Sequence, residues 1–113
     1  PYLTMMGRRI LHTGQLGSAT ILKVVTNYLA TANLVSVAEA LSTCQAAGMD
    51  LRTSYQAIAM SSGTSFVHET EGQVILNGSR DINFTMDLVL KDISLFQDVA
   101  NRSDLQLEIA PRW

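Results

Sequence analysis

The interior of this chain contains no proline, and this feature constrains its fold more than any other. Proline occurs only near the two ends, at Pro1 and Pro111, so nothing between them forbids helix formation. The segment between Gly17 and Gly48 is mostly apolar. We therefore expect one long helix to fill this segment and to stop at Gly48, in the left-handed conformation that ends many helices.

Two glycines, Gly14 and Gly17, precede this helix, and Ser18 is its expected N-cap. Their G-x-x-G spacing lacks the third glycine of the dinucleotide fingerprint G-x-G-x-x-G. A phosphate loop of the G-x-x-x-x-G-K-S/T type is also absent from the sequence. We expect the glycines to form a tight turn into the helix, after a short β-leaning segment at residues 10–13.

Turn-forming residues divide the rest of the chain into three shorter helices, with Asp50 and Ser65 as N-caps of the first two. These helices are expected at residues 51–61, 66–76 and 85–101. An extended or irregular tail should follow at residues 105–113. The predicted fold class is therefore all-α, a helical domain built around one long central helix. Because that helix is apolar around most of its circumference, we expect it to be buried on several sides or to form an interface.

The composition indicates a surface that a partner covers. Hydrophobic residues make up 47% of the chain and charged residues 16%, whereas about a quarter of residues are charged in a typical soluble domain. The net charge of -2 gives no electrostatic reason to expect a nucleic-acid partner. Polar residues interrupt the long apolar segment, which argues against a membrane span. We expect neither partner.

A single cysteine, Cys44, excludes an internal disulfide framework and fits a reducing compartment. Together with the lack of a visible signal peptide, it predicts a cytoplasmic or organelle-matrix protein that is not secreted. His68 and Glu69 resemble part of a metal-binding helix motif, but Gly72 stands where the second histidine should be. We therefore expect no metal site.

Lys23 and Asn27 are the strongest candidates for chemistry. They stand four residues apart and so share one face of the expected helix. Apolar residues continue that face, so we expect Lys23 to be buried. A desolvated amine can exchange protons near neutral pH. The alternative is a structural pair, in which the lysine extends its amine to water and the amide caps or packs.

A second pair of candidates lies on the last expected helix. Phe84 and Lys91 are seven residues apart and share a face, and Asp92 follows directly. The alternative for Lys91 and Asp92 is an exposed surface ion pair.

These segments together resemble the C-terminal domain of the β-hydroxyacid dehydrogenase family. That family includes 3-hydroxyisobutyrate dehydrogenase and tartronate semialdehyde reductase, and it is related to 6-phosphogluconate dehydrogenase. The resemblance covers almost the whole chain in the right order. It rests on residues 14–18, 23–27, 38–41 and 47–50, and on Phe84 seven residues before Lys91. Two positions depart from the family pattern, where Ala19 replaces a glycine and Tyr28 replaces a second asparagine.

The resemblance implies a role for each candidate residue. Lys23 would be the general acid/base, and Asn27 would orient the substrate. Phe84 would line the active-site cleft, and Lys91 would lie at the cofactor. It also implies a 6-phosphogluconate dehydrogenase-like helical fold and a nicotinamide-dependent oxidoreductase that interconverts a small β-hydroxyacid and its aldehyde or keto form.

The resemblance further implies a domain organisation. Residues 1–13 would be the end of a Rossmann domain or an interdomain segment. Residues 14–113 would be the C-terminal catalytic and dimerisation domain, truncated at its C-terminus. NAD or NADP would be bound mainly by the N-terminal Rossmann domain, which these residues do not include, so the isolated chain should be inactive. The expected partners are the hydroxyacid, that Rossmann domain and a second copy of the chain. The alternative is a helical oligomerisation module without catalysis.

Overall fold

The computed structural model describes residues 2–79, 81 and 84–110, and it contains five helices and no strand within those residues. The helices are α1 (Tyr2–Met6), α2 (Ser18–Ala46), α3 (Leu51–Ala59), α4 (Phe66–Asn77) and α5 (Met86–Arg102). The all-α prediction with one long central helix is therefore confirmed. The expected β-leaning segment at residues 10–13 is irregular instead. Residues 111–113 of the predicted tail lie outside the described residues.

The helix ends follow the local sequence with one exception. The side chains of Asp50 and Ser65 accept hydrogen bonds from backbone N–H groups at the starts of α3 and α4, as predicted. Gly48 follows α2 with a φ of 81°, also as predicted. Ser18, however, is not the N-cap of α2. Gly17 takes that place with a φ of 92° and offers no side-chain cap, and the Ser18 hydroxyl donates to the Gln15 carbonyl instead.

The long helix α2 is the centre of the fold. It packs against α3, α4 and α5, and α3 also packs against α4. In contrast, α4 and α5 make no close backbone contact with each other, and α1 makes none with any other described helix. The fold therefore has a pair of helices, α3 and α4, and a separate helix, α5, which pack on α2 and leave a groove between α4 and α5.

The core lies where α3 and α4 meet the C-terminal half of α2. Val37, Leu41 and Tyr55 form a buried cluster, and the partly buried residues Leu51, Ile58, Ile75 and Leu76 pack against it. The Tyr55 ring stacks on fully buried His68 with ring centroids 4.3 Å apart. The Tyr55 hydroxyl donates to the Glu69 carbonyl and accepts from the Gln73 amide. Both the ring and the hydroxyl of Tyr55 are thus fixed.

Most of α2 is not buried in this chain, so the chain itself does not cover the helix on several sides. The alternative expectation, that α2 forms an interface, stays a prediction. Only Thr31, Val37 and Leu41 of this helix are buried. The accessible surface of the chain is 8993 Å², whereas a compact monomer of 12.3 kDa should expose about 6,100 Å². The radius of gyration is 16.9 Å, compared with about 13 Å for a compact chain of this length. The structure is open, and much of its exposed surface is apolar.

The length and apolar composition of α2 also raise the question of a membrane span. By length and composition alone, α2 is long and apolar enough to cross a membrane, and 11% of its most apolar window is buried. A helix buried in the core of a larger protein satisfies the same criteria. The prediction that no membrane is involved therefore stays a prediction, supported by the polar side chains of Lys23 and Asn27 within the helix.

Candidate active-site groove

The groove between α4 and α5 is the main concave feature around the predicted site residues. Its volume is about 590 Å³, within the range of small-molecule and cofactor sites. The helix α2 forms its base, α4 forms one wall, and α5 with the segment before it forms the other. The lining residues are Lys23, Asn27, Ala30, Thr31, Leu34, Phe66, Val67, Thr70, Glu71, Asp81, Phe84, Met86 and Val89.

The base of the groove brings Lys23 and Asn27 together. Helical spacing of four residues places both on the stripe of α2 that continues through Ala30, Thr31 and Leu34. The sequence therefore predicted correctly that the two residues share a face. The expected burial of Lys23 is wrong for this chain, because its side chain is exposed. The reason is that α4 and α5 flank the stripe without closing over it.

Asn27 is held by a hydrogen bond that the sequence did not predict. Its side-chain Nδ2 donates to Oδ2 of Asp92 on α5 at 2.9 Å. Asp92 is buried, with its side chain 9% exposed, whereas the neighbouring Lys91 side chain is 59% exposed. Buried carboxylates are stable in proteins when they are hydrogen-bonded or paired, and Asp92 has both kinds of partner. Asn27 therefore has a fixed orientation at the base of the groove.

Lys91 takes a different place from the other candidates. Its Nζ lies 3.6 Å from Oδ1 of Asp92, and it does not line the groove. The interpretation of Lys91 and Asp92 as an exposed surface pair is thus right for the lysine and wrong for the carboxylate. Sequence spacing alone could not show this, because Asn27 and Asp92 are 65 residues apart and only the packing of α5 on α2 joins them.

A second contact joins the same two helices beside the groove. The rings of Tyr28 and Phe96 are stacked, with centroids 3.9 Å apart and an angle of 2° between their planes. Tyr28 is one of the two residues that depart from the family pattern. Adjacent positions of α2 therefore each contact α5, one through a polar hydrogen bond and one through aromatic stacking, and together they fix the base of the groove relative to one wall.

The two walls of the groove differ in chemistry. Phe84, Met86 and Val89 make the α5 side largely apolar, and Asp81 is the charged residue on that side. Phe84 lines the groove, and its role in a substrate site stays a prediction. On the α4 side, Thr70 and Glu71 add polar groups to Phe66 and Val67. An amine and an amide beside an apolar wall can hold a polar reacting group against a flat ring. Such a site fits the nicotinamide end of a cofactor.

The phosphates of a nicotinamide cofactor find no comparable site in the described residues. Gly14 and Gly17 both have positive φ values and lead into α2, but the dinucleotide fingerprint is absent from the sequence. A Cβ at either glycine would meet nothing within 4 Å. Their role here is therefore conformational, in the turn that begins α2.

The described residues also form no group of three or more His, Cys, Asp and Glu side chains suited to a metal ion. The expectation of no metal site stays a prediction. It agrees with the lack of a second histidine near His68, which is fully buried and whose Nε2 pairs with the Tyr55 carbonyl.

Comparison with known proteins identifies the family to which this chain belongs. Residues 17–111 match the family described as the NAD-binding domain of NADP-dependent 3-hydroxyisobutyrate dehydrogenase. The match covers most of the chain, and the chain belongs to this family. The family resemblance inferred from the motifs is thereby confirmed at the level of 3-hydroxyisobutyrate dehydrogenase-like proteins.

Individual relatives support the same family. The chain is 32% identical over 95% of its length to 2-(hydroxymethyl)glutarate dehydrogenase of Eubacterium barkeri, and spans 36% of that protein. It is 30% identical over 87% of its length to the mitochondrial 3-hydroxyisobutyrate dehydrogenase of Rattus norvegicus, and spans 31% of it. It is 24% identical over 97% of its length to L-threonate dehydrogenase of Haemophilus influenzae, and spans 37% of it.

A solved structure shows the same helical architecture. The crystal structure of 3-hydroxyisobutyrate dehydrogenase from Salmonella typhimurium superposes with a TM-score of 0.80 at 25% identity, over 85% of this chain and 34% of that one. The chain thus spans about a third of the length of the relatives that it matches.

Proposed function

We propose that this chain is the helical catalytic part of a longer nicotinamide-dependent dehydrogenase, which interconverts a small β-hydroxyacid and its aldehyde or keto form. One observation carries the proposal. Lys23 and Asn27 lie side by side at the base of a groove that also contains Phe84, in a chain that belongs to a dehydrogenase family. The share of its relatives that the chain spans is the reason for proposing a longer protein.

Lys23 is the proton-transfer group in this proposal. During alcohol oxidation its neutral amine accepts the proton of the substrate hydroxyl, and during carbonyl reduction its ammonium returns that proton to the oxygen. A bound nicotinamide cofactor would supply the hydride acceptor or donor for the carbinol carbon. Lys23 is exposed in this chain. Covering the groove with a further domain would desolvate the amine and favour its neutral form.

Asn27 orients the substrate in this proposal. Its hydrogen bond to Asp92 uses one of the two N–H groups of the amide and fixes which way the amide points. The second N–H group is then left to donate to a substrate carboxylate, and the carbonyl oxygen is left to accept from a substrate hydroxyl. Asp92 is a positioning residue here, because it acts through Asn27. Pre-orientation of this kind reduces the entropy cost of reaching the reactive geometry.

The remaining assignments of this proposal concern domains and partners. Residues 1–13 serve as the end of a Rossmann domain or as an interdomain segment, and residues 14–113 serve as the C-terminal catalytic and dimerisation domain. The Rossmann domain binds most of the NAD or NADP, and Lys91 contributes at the cofactor from outside the groove. A second copy of the chain covers part of the exposed surface. The protein works in a reducing compartment, with neither nucleic acid nor membrane as partner.

The substitution Lys23→Met in the longer protein tests the proposal. It keeps the length and the apolar stem of the side chain and removes the ionisable amine. We expect kcat to fall about a hundredfold or more, the range for a positioned acid or base, while the KM for the cofactor stays nearly unchanged. Because the covering domain would desolvate the amine, replacing it with an apolar side chain should leave the melting temperature unchanged or raise it.

Lys91→Met is the matched control for this substitution. It removes the same amine from an exposed position outside the groove. We expect it to raise the KM for the cofactor and to leave kcat within a few-fold of the wild type. A Lys23→Met protein with near-normal kcat would refute the role of Lys23 and remove the main support for the proposal.

The alternative function, a helical oligomerisation module without catalysis, is favoured by one observation. The chain exposes about 2,900 Å² more surface than a compact monomer of its mass. The two functions differ in turnover. A module would assemble but would oxidise no hydroxyacid with either cofactor. Lys23→Met could then change only its assembly.

A further inference from the structure

The α4 wall of the groove carries polar groups that the proposed function leaves unused. Glu71 is half-buried and lines the groove together with Thr70. Its carboxylate makes no hydrogen bond or ion pair with any described residue. The Thr70 hydroxyl donates to the Phe66 carbonyl, which leaves its oxygen free to accept. Glu71 is thus a partly buried carboxylate whose oxygens are available to a hydrogen-bond donor, and the exposed Thr70 hydroxyl stands beside it.

Carboxylates outnumber amines among the ionisable groups that line the groove, which is unusual for a site that binds an acid. These groups are one amine, Lys23, and two carboxylates, Glu71 and Asp81, among the described residues that line the groove. A substrate with one carboxylate can be held by Lys23 and by the domain that covers the groove. A second carboxylate on the same substrate would approach Glu71 or Asp81, where like charges repel.

The arrangement of the walls decides which part of the substrate meets Glu71. Lys23 and Asn27 on α2 take the reacting carbinol, and the apolar α5 wall of Phe84, Met86 and Val89 suits the flat ring of the cofactor. The rest of the substrate is left facing α4. A carboxylate there accepts hydrogen bonds from hydroxyl groups, and hydrogen bonds to a charged acceptor are the stronger kind.

We infer that Glu71 selects a hydroxyacid whose remaining carbons carry hydroxyl groups, and that it discriminates against one with a second carboxylate. This inference rests on the proposed function and narrows its substrate class. The substrates named for three relatives represent the possible chemistries. L-threonate is a polyhydroxy monoacid, 3-hydroxyisobutyrate has an apolar methyl branch, and 2-(hydroxymethyl)glutarate has a second carboxylate.

The experiment compares these three acids as substrates of the longer dehydrogenase proposed above. The quantity measured is kcat/KM with NAD and with NADP, for the wild type, Glu71→Gln and Glu69→Gln. Glu69 is the matched control, because it is an exposed glutamate on the same helix that does not line the groove. Turnover of 3-hydroxyisobutyrate, which has neither feature, serves as the internal measure of folded and competent enzyme.

We expect the wild type to prefer L-threonate to 2-(hydroxymethyl)glutarate. Glu71→Gln should lower kcat/KM for L-threonate about tenfold and raise it about tenfold for the diacid, because a charged acceptor and a like charge are both removed. Values for 3-hydroxyisobutyrate should stay within about twofold. Glu69→Gln should match the wild type on all three acids.

Two results would overturn the inference while leaving the proposed function intact. One is a wild type that prefers the diacid, and the other is a Glu71→Gln protein whose kcat/KM changes equally for all three acids. Turnover of none of the three by the wild type, with either cofactor, would be the failure of the proposed function itself and would overturn this inference with it.

Discussion

The two halves of α2 have similar apolar sequences and very different surroundings. In the C-terminal half, Val37 and Leu41 are buried against Tyr55 and the residues around it. In the N-terminal half, Ile21, Leu22 and Leu29 are all exposed. The same helix is thus a core element at one end, whereas at the other end α5 packs on the face that carries Asn27 and Tyr28 and leaves an apolar surface uncovered.

This difference shows that burial depends on neighbours and not on the apolar pattern of the helix itself. Exposed apolar area costs about 25 cal/mol per Å² relative to burial, so the uncovered half favours association. The excess accessible surface of about 2,900 Å² over a compact monomer is at least as large as the roughly 1,000–2,500 Å² that one partner contributes to an obligate interface. The uncovered half also carries Lys23, so the predicted chemistry lies next to the surface that a partner would cover.

The largest effect that tests this comparison is the difference in stability between two variants, each with one leucine of α2 replaced by alanine. Leu41 is 1% exposed and Leu29 is 52% exposed. Leu41→Ala should lower the free energy of unfolding of the chain by about 2–5 kcal/mol, the usual cost of truncating a buried leucine. At protein concentrations low enough to keep the chain monomeric, Leu29→Ala should change it by less than about 0.5 kcal/mol. Urea titration followed by circular dichroism measures both.

A loss of stability from Leu29→Ala as large as that from Leu41→Ala would contradict the comparison. If Leu29→Ala destabilised the chain as much as Leu41→Ala, the N-terminal half of α2 would be covered in solution. Repeating the titration at several protein concentrations distinguishes cover by a second copy from cover within one chain, because only the former makes the denaturation midpoint depend on concentration.

The packed half is also the half that the sequence predicted best. Local signals identified Asp50, Ser65 and Gly48 as helix ends, because caps and left-handed turns depend on nearby residues only. The spacing of Lys23 and Asn27 placed them on one face for the same reason. The short helix α1 and the extension of α4 to Asn77 were not predicted, since boundaries lack so strong a local signal.

The features that the sequence did not predict depend on distant contacts. Asp92 is a site residue only because α5 packs on α2 and brings it to Asn27. The exposure of Lys23 depends on how far α4 and α5 stand apart. The Tyr28–Phe96 stack likewise joins residues far apart in sequence. No periodicity within one helix contains this information.

A smaller effect tests the uncovered half directly. Leu22 and Leu29 are seven residues apart and therefore share a face of α2. Sedimentation at micromolar concentration should show a dimer or larger species of the chain. The double substitution Leu22→Glu with Leu29→Glu should weaken this association by about tenfold or more, because it places charges in the interface. That change corresponds to about 1.4 kcal/mol.

Leu105→Glu is the control for this experiment, since it adds one of the same charges at an exposed leucine of the tail after α5. It should associate like the wild type. A wild type that sediments as a clean monomer would contradict the prediction. An equal loss of association in the control would show that added charge, and not the α2 surface, is responsible.

The smallest predicted effect is on the pH dependence of stability. It distinguishes the start of α3, in the packed region, from the start of α2, in the uncovered region. The helix α3, which packs on the C-terminal half of α2, begins at a titratable cap. The backbone N–H and the hydroxyl of Thr53 donate to Oδ2 of Asp50 at 2.9 Å and 2.8 Å. First the backbone and then the hydroxyl hydrogen bond hold the pKa of this carboxyl below its usual value. The uncovered end of α2 has no side-chain cap, so it contributes no such pH dependence.

The sign of the effect follows from the lowered pKa. An acid whose pKa is lower in the folded state stabilises that state fully above its unfolded pKa, about 3.9, and loses this contribution as the pH falls through the folded value. Asp50→Asn keeps a good cap that does not titrate. Urea titrations between pH 6 and pH 2 should therefore show wild-type stability falling slightly more steeply than that of Asp50→Asn below about pH 4. The other carboxylates titrate in both proteins and cancel in the difference. Parallel curves across this range would contradict the prediction, because they would mean that the Asp50 cap contributes equally whether or not its carboxyl group is ionised.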